Sequence, residues 1–309
     1  MKGVVTKSTG SWYTVKTESE EKIDCRIKGR LRIKGLKATN PIAVGDVVEF
    51  ELEKSGKGII SSIEPRKNYI IRKATKLSKQ THIIATNIDQ LLLIVSLAQP
   101  RTPLGFVDRM LITAEAYSIP AIVVCNKVDL MDENNEDFLL DMYETYTDIG
   151  YEFIATSVPA NKNLGKLKAV LQGKTTLVSG QSGVGKSTLI NAIESNLNLK
   201  TADISTFNEK GIHTTTFAEM FELSFGGSII DTPGIRSFGI IDFEKEELYH
   251  YFPEIFKASR NCKFHNCQHI DEPKCAVKEA VENSEIAESR YDNYLNLYYD
   301  KDVDTNFTN

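Results

Sequence analysis

Apolar and polar side chains alternate along five short segments near the N-terminus. These segments span residues 3–6, 12–16, 22–27, 47–52 and 58–63. Turn-forming residues separate them, as in Thr9-Gly10-Ser11 and Lys54-Ser55-Gly56-Lys57. Alternation is typical of half-buried strands, and five short strands with such turns predict a small closed or half-closed barrel. We therefore expect residues 1–72 to form an N-terminal β-barrel domain of the OB-fold type.

Continuous apolar runs replace this alternation in the middle of the chain. Three such runs lie at residues 88–95, 120–125 and 151–155. Apolar residues at helical spacing lie between the first two, at Phe106, Met110, Leu111 and Ala114, and residues 138–147 indicate another helix. Continuous runs are typical of parallel strands covered on both faces. Strands alternating with helices predict a doubly wound α/β sheet with ligands at the carboxyl ends of its strands, and we assign residues 73–240 to it.

The last part of the chain shows only the helical period. Apolar residues recur there at i, i+3 and i+4, at Val277, Ala280, Val281, Tyr291, Tyr294, Leu295 and Tyr298. This spacing predicts amphipathic helices. We assign residues 241–309 to a third, helical domain, so the whole chain is predicted to be a multidomain α/β protein.

The net charge of −5 conceals an asymmetry along the 309 residues. Residues 1–80 hold 18 Lys and Arg against 9 Asp and Glu, whereas the remainder holds 19 against 33. A basic module on an acidic body favours a polyanionic partner for that module alone, although a solvated basic face is an alternative. Residues 66–80 carry six of these cations, and we interpret them as a basic linker that either contacts nucleic acid or is solvated.

The basic region has features of an RNA-binding surface. Over residues 26–34, cations alternate with apolar or small residues, so a strand there would send its cations to one face. A barrel with this stripe would bind RNA mainly through the RNA backbone, with Trp12 or Tyr13 as a stacking platform. Because these two aromatics are adjacent, we expect one of them to lie in the core.

Overall composition gives no sign of a membrane or secreted protein. The chain is 41% apolar and 26% charged, which is ordinary for a globular protein. Its N-terminus leads into alternation rather than an apolar block, and the apolar run at 91–98 is too short to span a bilayer. We therefore expect a cytoplasmic protein with no membrane partner.

A glycine-rich segment follows the β-prone run at 175–179 and precedes apolar residues at helical spacing over 189–193. It comprises Gly180, Gln181, Ser182, Gly183, Val184, Gly185, Lys186, Ser187 and Thr188. Strand, loop and helix in this order are the context of a phosphate-binding loop, a chance glycine-rich turn being the alternative. Glycines let backbone N–H groups converge on the α- and β-phosphates at a helix N-terminus. Lys186 would reach the β- and γ-phosphates, and the Ser187 hydroxyl would ligate Mg²⁺.

A candidate base-recognition motif, Asn126-Lys127-Val128-Asp129, stands at the end of the second predicted strand. The Asp129 carboxylate could accept both the N1–H and the 2-amino group of guanine. Adenine would leave this carboxylate unpaired, and sites built to pair polar groups reject such analogues strongly. Asn126 would meet the opposite edge of the base, and the Lys127 stem would cover its plane. Alone the motif could be an ordinary turn; beside a phosphate-binding loop it indicates GTP.

A second phosphate element, Asp231-Thr232-Pro233-Gly234, ends the strand predicted at 227–230. Asp231 would hold Mg²⁺ through water, and the Gly234 N–H could sense the γ-phosphate. Between the two phosphate elements lies a polar stretch over residues 200–216. A threonine near its end is expected to complete the Mg²⁺ shell; Thr214 and Thr215 are alternatives, and we assign Thr215.

Three cysteines and a histidine cluster near the C-terminus. Cys262, Cys267, His269 and Cys275 lie within fourteen residues, a set that suits tetrahedral Zn²⁺ in a closed structural site. Clustered cysteines in a cytosolic chain favour metal over disulfides. His265 is a competing imidazole. Cys25 and Cys125 fall in apolar runs and are expected to be buried thiols.

The phosphate-binding loop, Asp-x-x-Gly and Asn-Lys-x-Asp together resemble the motifs of translation-factor-type GTPases, but here residues 126–129 precede residues 180–188. The chain therefore resembles a circularly permuted GTPase. With its OB-like module and metal cluster, it is similar over essentially its whole length to the RsgA (YjeQ) family of small ribosomal subunit biogenesis GTPases. The resemblance favours His269 over His265 as the fourth metal ligand.

The resemblance also implies that Ser157 contacts the base. Here Thr156-Ser157-Val158 stands where the family usually has a Ser-Ala pair, and Asn161 and Asn163 replace glycines that are common in the family.

A candidate catalytic residue lies outside the three motifs. Ordinary members of the superfamily place a water-orienting Gln just after Asp-x-x-Gly, but this chain has Ile235, which cannot form a hydrogen bond through its side chain. His213 could orient or polarise the attacking water instead, and the resemblance points to the same residue. The alternative is that His213 only contacts the partner.

We predict a monomeric GTPase that hydrolyses GTP to GDP and phosphate with Mg²⁺. The resemblance implies that it acts late in maturation of the small (30S) ribosomal subunit, binds rRNA and is stimulated by the subunit. The alternative is an RNA-binding module in which GTP is a structural ligand and turnover is incidental. A phosphate-loop kinase is a third hypothesis, which the base motif at residues 126–129 disfavours.

Overall fold

The computed structural model describes residues 1–27, 41–73, 81–197, 218–231 and 244–299. Within these ranges lie thirteen strands and seven α-helices. No helix among them is both long enough and apolar enough to cross a membrane.

Five strands close into a barrel at the N-terminus. They are β1 (Lys2–Ser8), β2 (Tyr13–Thr17), β3 (Lys22–Ile27), β4 (Val47–Leu52) and β5 (Gly58–Ile63). Their order is β1-β2-β3-β5-β4, and a further pairing of β1 with β4 closes the ring. Alternate residues point inward, so that Tyr13, Cys25 and Phe50 are buried in the barrel core. The five-stranded barrel predicted from alternation is confirmed.

A short hairpin follows the barrel, where the sequence predicted only a basic linker. Strand β6 (Tyr69–Lys73) pairs antiparallel with β7 (Thr81–Thr86). Ile70 and Ala85 are buried in the core of the central domain. The linker interpretation of residues 66–80 was therefore wrong for 69–73, because cations beside the apolar residues obscured the strand pattern.

Six strands form the central sheet in the order β10-β9-β8-β11-β13-β12. They are β8 (Gln90–Ser96), β9 (Ala121–Asn126), β10 (Glu152–Ala155), β11 (Thr175–Ser179), β12 (Glu219–Glu222) and β13 (Ser228–Asp231). All neighbouring pairs are parallel except β12 with β13. The strands that come first in the chain, β8 to β10, lie beside β11 through the parallel pair β8–β11. Their carboxyl ends therefore meet those of β11 and β13 at one edge of the sheet.

Helices cover both faces of this sheet, as the doubly wound prediction requires. They are α1 (Leu104–Ala116), α2 (Glu133–Ile149), α3 (Leu164–Leu171) and α4 (Lys186–Ile193). Leu91 and Leu93 pack in a cluster with α1 and α2, whereas Leu92 and Ile94 pack in another with α3 and α4. Apolar side chains on both faces of β8 explain why this strand appears as a continuous apolar run.

The C-terminal part is helical. A 3₁₀-helix spans Lys245–Tyr251, and α5 (Pro253–Ser259), α6 (Ala276–Glu282) and α7 (Glu288–Tyr298) follow. Their apolar faces form one cluster with Ile112 of α1. Arg290 of α7 is 1% exposed and contacts Asp108 of α1 at 2.6 Å and Glu254 of α5 at 2.7 Å. This buried charge network joins the helical module to the central domain.

Candidate functional site

The glycine-rich loop joins β11 to α4, as its sequence context predicted. A Cβ atom at Gly180 would lie 2.1 Å from the Ile94 carbonyl oxygen, so only glycine fits where the loop crosses β8. Gly185 is the residue before α4 and has φ +91. The loop therefore presents its backbone at the N-terminus of a helix, where the helix dipole favours anions.

Lys186 lies folded over this loop. Its ammonium donates to the carbonyls of Gly180 and Gln181, both at 2.7 Å. Burial lowers the pKa of Lys186, while the charge of Asp231, at the end of the neighbouring β13, opposes that shift. Both of these described hydrogen-bond partners are neutral carbonyls, so this half-buried ammonium is well placed to bind an anion.

The remaining loop residues divide between the core and the surface. Val184 is fully buried in the cluster beneath the loop and anchors it. Ser182, Gly183 and Thr188 are exposed, and Ser187 is half-buried at the start of α4. The Ser187 hydroxyl and the Asp231 carboxylate are oxygen donors on adjacent elements, a donor set that suits Mg²⁺.

The base motif lies next to the phosphate-binding loop. Asn126 ends β9, and its side-chain amide donates to the main-chain carbonyl of Val184 at 2.9 Å. The Thr156 hydroxyl donates to the Asn126 side-chain oxygen at 3.1 Å. Lys127 follows in the left-handed region, at φ 63. Two segments far apart in sequence are therefore joined in one cleft.

Asp129 stands at the exposed rim of this cleft, and Ser157 holds it in place. The Ser157 hydroxyl donates to an Asp129 carboxylate oxygen at 2.5 Å and accepts from the Ala160 N–H at 3.1 Å. Asn161 and Asn163 both adopt left-handed backbone, at φ 49 and 57. Asparagine tolerates this conformation better than most residues, so the two asparagines that replace glycines are compatible with the loop.

Sequence reasoning missed two further residues of the cleft. The Lys127 ammonium donates to the Gln99 carbonyl at 2.5 Å. A Cβ atom added at Gly183 would lie 3.0 Å from Cδ of Pro100, so these two residues are in close contact. The loop after β8 therefore contacts both the base motif and the phosphate-binding loop. No motif marks this loop, and only the order of strands in the sheet brings it here.

Several predicted site residues lie outside the described ranges. These are His213, Thr214, Thr215, Gly234 and Ile235. The basic stripe over residues 26–34 also falls mostly outside them. Of the two adjacent aromatics, Tyr13 is fully buried, whereas Trp12 is 40% exposed with the Lys57 ammonium 4.6 Å from its ring centroid.

The predicted metal ligands converge in the C-terminal module. Ligand atoms of Cys262, Cys267, His269 and Cys275 all lie within 4.8 Å of one another. Nδ1 of His269 faces two of the thiols, at 3.6 Å from Cys262 Sγ and 3.5 Å from Cys275 Sγ. The competing His265 is exposed.

The chemistry of this cluster suits a cation. Burial raises the pKa of Cys267 to about 12 and also raises that of Cys275, while it lowers the pKa of His269 to about 4. A neutral imidazole is ready to coordinate, and a bound cation would stabilise the thiolates that burial disfavours. Hydroxyl groups of Tyr291 and Tyr294 donate to the carbonyls of His269 and Gln268, which fixes the backbone of the cluster on α7. The cluster can hold a metal ion.

Comparisons with known proteins agree over nearly the whole chain. A model of the RsgA N-terminal domain matches residues 2–60, and a model of the RsgA GTPase matches residues 63–241. The small ribosomal subunit biogenesis GTPase RsgA of Flavobacterium johnsoniae is 54% identical, over 96% of this chain and 92% of its own. The protein of the same name from Bacteroides fragilis is 52% identical, over 98% and 97%.

Solved structures give the same result. The crystal structure of YjeQ from Thermotoga maritima has a TM-score of 0.79 and 38% identity, covering 97% of each chain. YloQ, described as a circularly permuted GTPase, has a TM-score of 0.73 and 32% identity, covering 97% of this chain and 94% of its own.

Proposed function

This chain belongs to the RsgA family of circularly permuted GTPases, and from that membership we propose how its cleft binds and hydrolyses GTP. It is a GTPase of small ribosomal subunit biogenesis. The proposal for the cleft rests on one observation, the hydrogen bond from the Asn126 amide to the Val184 carbonyl. A base held at Asn126 and phosphates held at residues 180–188 can then belong to one nucleotide.

The guanine ring binds on the side of β9. Asp129 accepts from the N1–H and the 2-amino group, and its exposed carboxylate, already oriented by Ser157 at 2.5 Å, supports this role. Asn126 meets the other edge of the ring, and the Lys127 stem, anchored at Gln99, covers its plane. Adenine is rejected because it offers neither donor to Asp129.

The triphosphate binds across the loop and the N-terminus of α4. Backbone N–H groups of residues 180–188 hold the α- and β-phosphates. Lys186 exchanges the carbonyls of Gly180 and Gln181 for phosphate oxygens. Ser187, Thr215 and Asp231 would hold Mg²⁺, Asp231 through water, and the ion would supply positive charge to the β- and γ-phosphates.

Hydrolysis requires a water molecule aligned with the γ-phosphate. Ile235 cannot orient it, and we assign that role to the His213 imidazole. The Gly234 N–H senses the γ-phosphate. These residues lie outside the described ranges, so their assignment rests on the sequence and the family alone.

The metal in the C-terminal module is Zn²⁺ in a structural role. Three thiols and one imidazole within 4.8 Å support tetrahedral coordination with no position left for a substrate. Zn²⁺ would supply folding energy to a module whose helices are only seven to eleven residues long.

The partner is the small ribosomal subunit with its rRNA. The protein binds it as a monomer, in the cytoplasm, where subunits are assembled. The basic charge of residues 1–80 supports contact of the barrel with RNA phosphates. The exposed Trp12 with Lys57 beside its ring supports base stacking at the barrel loops. Binding of the subunit stimulates GTP hydrolysis in late maturation.

Comparing GTP turnover with and without purified small subunits tests this proposal. We expect subunits to raise the turnover number, and we expect the stimulation to decrease steeply as salt increases, because phosphate contacts release counterions. Equal turnover with and without subunits would favour the RNA-binding module with an incidental nucleotide.

A further inference from the structure

The barrel and the central sheet are hydrogen-bonded into one continuous sheet. Strand β1 of the barrel pairs antiparallel with β12, the edge strand of the central sheet, with Lys7 opposite Glu219. Strand β12 is the first described element after residues 198–217, which include His213. The strand that follows the segment assigned to catalysis is therefore also the strand that contacts the barrel.

Among the described residues, two ion pairs cross this seam. The Lys7 ammonium lies 3.0 Å from a Glu219 carboxylate oxygen, and Lys16 of β2 donates to Glu222. The Lys16 side chain is only 19% exposed, and its hydrogen bond with Glu222 raises the pKa of Lys16. Both cations lie on the barrel and both carboxylates lie on β12. Each ion pair therefore joins the two domains and depends on how they are placed relative to each other.

The second attachment of the barrel is of a different kind. Asp46, between the barrel strands, is fully buried and accepts from the Thr86 hydroxyl at 2.9 Å and from Arg66 at 2.7 Å. A Cβ atom at Gly45 would lie 2.1 Å from the Thr86 carbonyl oxygen, so the two backbones are in direct contact. This attachment is buried and close-packed, unlike the more exposed seam at β12.

A cavity of about 640 Å³ separates the barrel from the β12–β13 hairpin next to the seam. Thr6 and Thr17 line it from the barrel, and Met220 and Leu223 from the hairpin. Beside this cavity, the described contacts between barrel and hairpin include the pairing of β1 with β12 and the two ion pairs.

The β12–β13 hairpin is hydrogen-bonded to the end of α4, the helix that follows the phosphate-binding loop. Glu194, at the end of α4, is 3% exposed and accepts from the Ser224 N–H in the β12–β13 turn at 2.6 Å. Strand β13, the other arm of the hairpin, ends at Asp231 beside β11. A shift of β12 therefore acts on elements that reach the phosphate side of the cleft.

We propose that Lys7, Lys16, Glu219 and Glu222 are positioning residues for subunit-stimulated hydrolysis, through which the barrel sets the placement of β12. This inference rests on the proposed function, since it requires the barrel to bind the subunit. Ion pairs at the protein surface contribute little to stability, and one such pair shifts an equilibrium by roughly 1.5- to 5-fold. Two pairs are enough to change a stimulated rate without being needed for folding.

The test uses the full-length protein with charges reversed on the β12 side, in the variant Glu219→Lys with Glu222→Lys. At saturating small subunits, its stimulated kcat should fall about tenfold, because two pairs are lost. Turnover without subunits, GTP affinity and the KM for subunits should stay within about twofold of wild type. Adding Lys7→Glu and Lys16→Glu to the same chain restores both pairs in reverse and should restore the stimulated kcat.

A matched control reverses two carboxylates of the central domain that contact no barrel residue among the described positions, Glu144→Lys with Glu152→Lys. It should keep full stimulation.

The milder variant Glu219→Gln with Glu222→Gln should lower the stimulated kcat by about half as much, on a logarithmic scale, as the charge reversal does. This variant tests the inference if the charge reversal impairs folding. Any of three results would overturn the inference. They are full stimulation in both β12 variants, an equal loss of stimulated kcat in the control, and a stimulated kcat that remains low when all four charges are reversed. Absence of stimulation in the wild-type protein would instead overturn the proposed function.

Discussion

The Asn126 side-chain amide donates a hydrogen bond to the main-chain carbonyl of Val184, 58 residues further along the chain. Its oxygen accepts from Thr156 at the same time, so both ends of the amide are fixed. The spacing between base motif and phosphate-binding loop is therefore set by a side chain and by the β8–β11 pairing. Neither depends on which motif comes first, which explains how a permuted order keeps the cleft intact.

Substituting Gly185 by alanine should disrupt this contact. The new Cβ would lie 2.6 Å from the Asn126 side-chain nitrogen, and the backbone is at φ +91. Left-handed strain alone contributes about 1–3 kcal/mol, and displacement of Asn126 adds the loss of its hydrogen bond, about 1 kcal/mol. Calorimetry should show GTP affinity reduced at least about tenfold.

Gly173→Ala is the control for that substitution, because Gly173 is also left-handed, at φ +70, but an added Cβ meets nothing within 4 Å. It should lower stability through strain and leave GTP affinity unchanged. Equal affinities in the two variants would show that the Asn126 contact is not needed.

Removing the Ser157 hydroxyl should weaken GTP binding. Ser157 orients the Asp129 carboxylate. Hydrogen bonds to charged groups contribute about 1.5–3 kcal/mol of net free energy, and we expect a smaller value here because Asp129 is exposed. We expect Ser157→Ala to lower GTP affinity about fivefold in a titration with a fluorescent analogue, equivalent to roughly 1 kcal/mol. Ser62→Ala removes a comparable bond to Glu49 in the barrel, of 2.7 Å, and should leave the affinity as it is.

Loss of Arg290 should destabilise the joint between α1 and the C-terminal module. Arg290→Met leaves the buried Asp108 carboxylate without its cation, and breaking a buried pair from one side contributes about 3–5 kcal/mol of destabilisation. Denaturant unfolding followed by hydrogen exchange in α1 and α7 measures the effect. Lys166→Met breaks an exposed pair with Glu152 at 3.5 Å and should change stability by less than about 1 kcal/mol. Similar values for both variants would contradict this account.

His213→Ala should separate catalysis from binding. If the imidazole orients the attacking water, the subunit-stimulated kcat should fall about 10²- to 10⁴-fold, the usual range for general acid–base groups. GTP affinity should remain within about twofold, since no phosphate contact is assigned to this residue. An unchanged stimulated kcat would remove His213 from the mechanism.

Local patterns in the sequence predicted the elements that carry their own signal. Strand β11 and helix α4 follow from a β-prone run, a glycine-rich loop and helical spacing, and the cysteine cluster follows from its spacing. The barrel strands were predictable because most of their residues alternate around inward residues such as Val15 and Phe50. Such signals depend only on neighbours in the chain.

Features that depend on the assembled fold were not predictable. Strand β12 was missed because its two apolar residues are adjacent and flanked by Glu219 and Glu222, so it shows no apolar alternation. Arg290 looks like an exposed helical cation until Asp108, 182 residues away, is found beside it. Gln99 and Pro100 enter the cleft only because β8 lies next to both β9 and β11.

The most direct test of a single GTP cleft is nucleotide preference in the wild-type protein and in Asp129→Asn. Wild type should bind GTP roughly 10² to 10⁴ times more tightly than ATP, because only guanine offers two donors to the Asp129 carboxylate. In Asp129→Asn the amide donates to the 2-oxo group of xanthine, so preference should change from GTP to XTP while the phosphate-binding loop stays the same. Equal affinity of the wild type for ATP and GTP, or unchanged GTP binding in Asp129→Asn, would contradict the account.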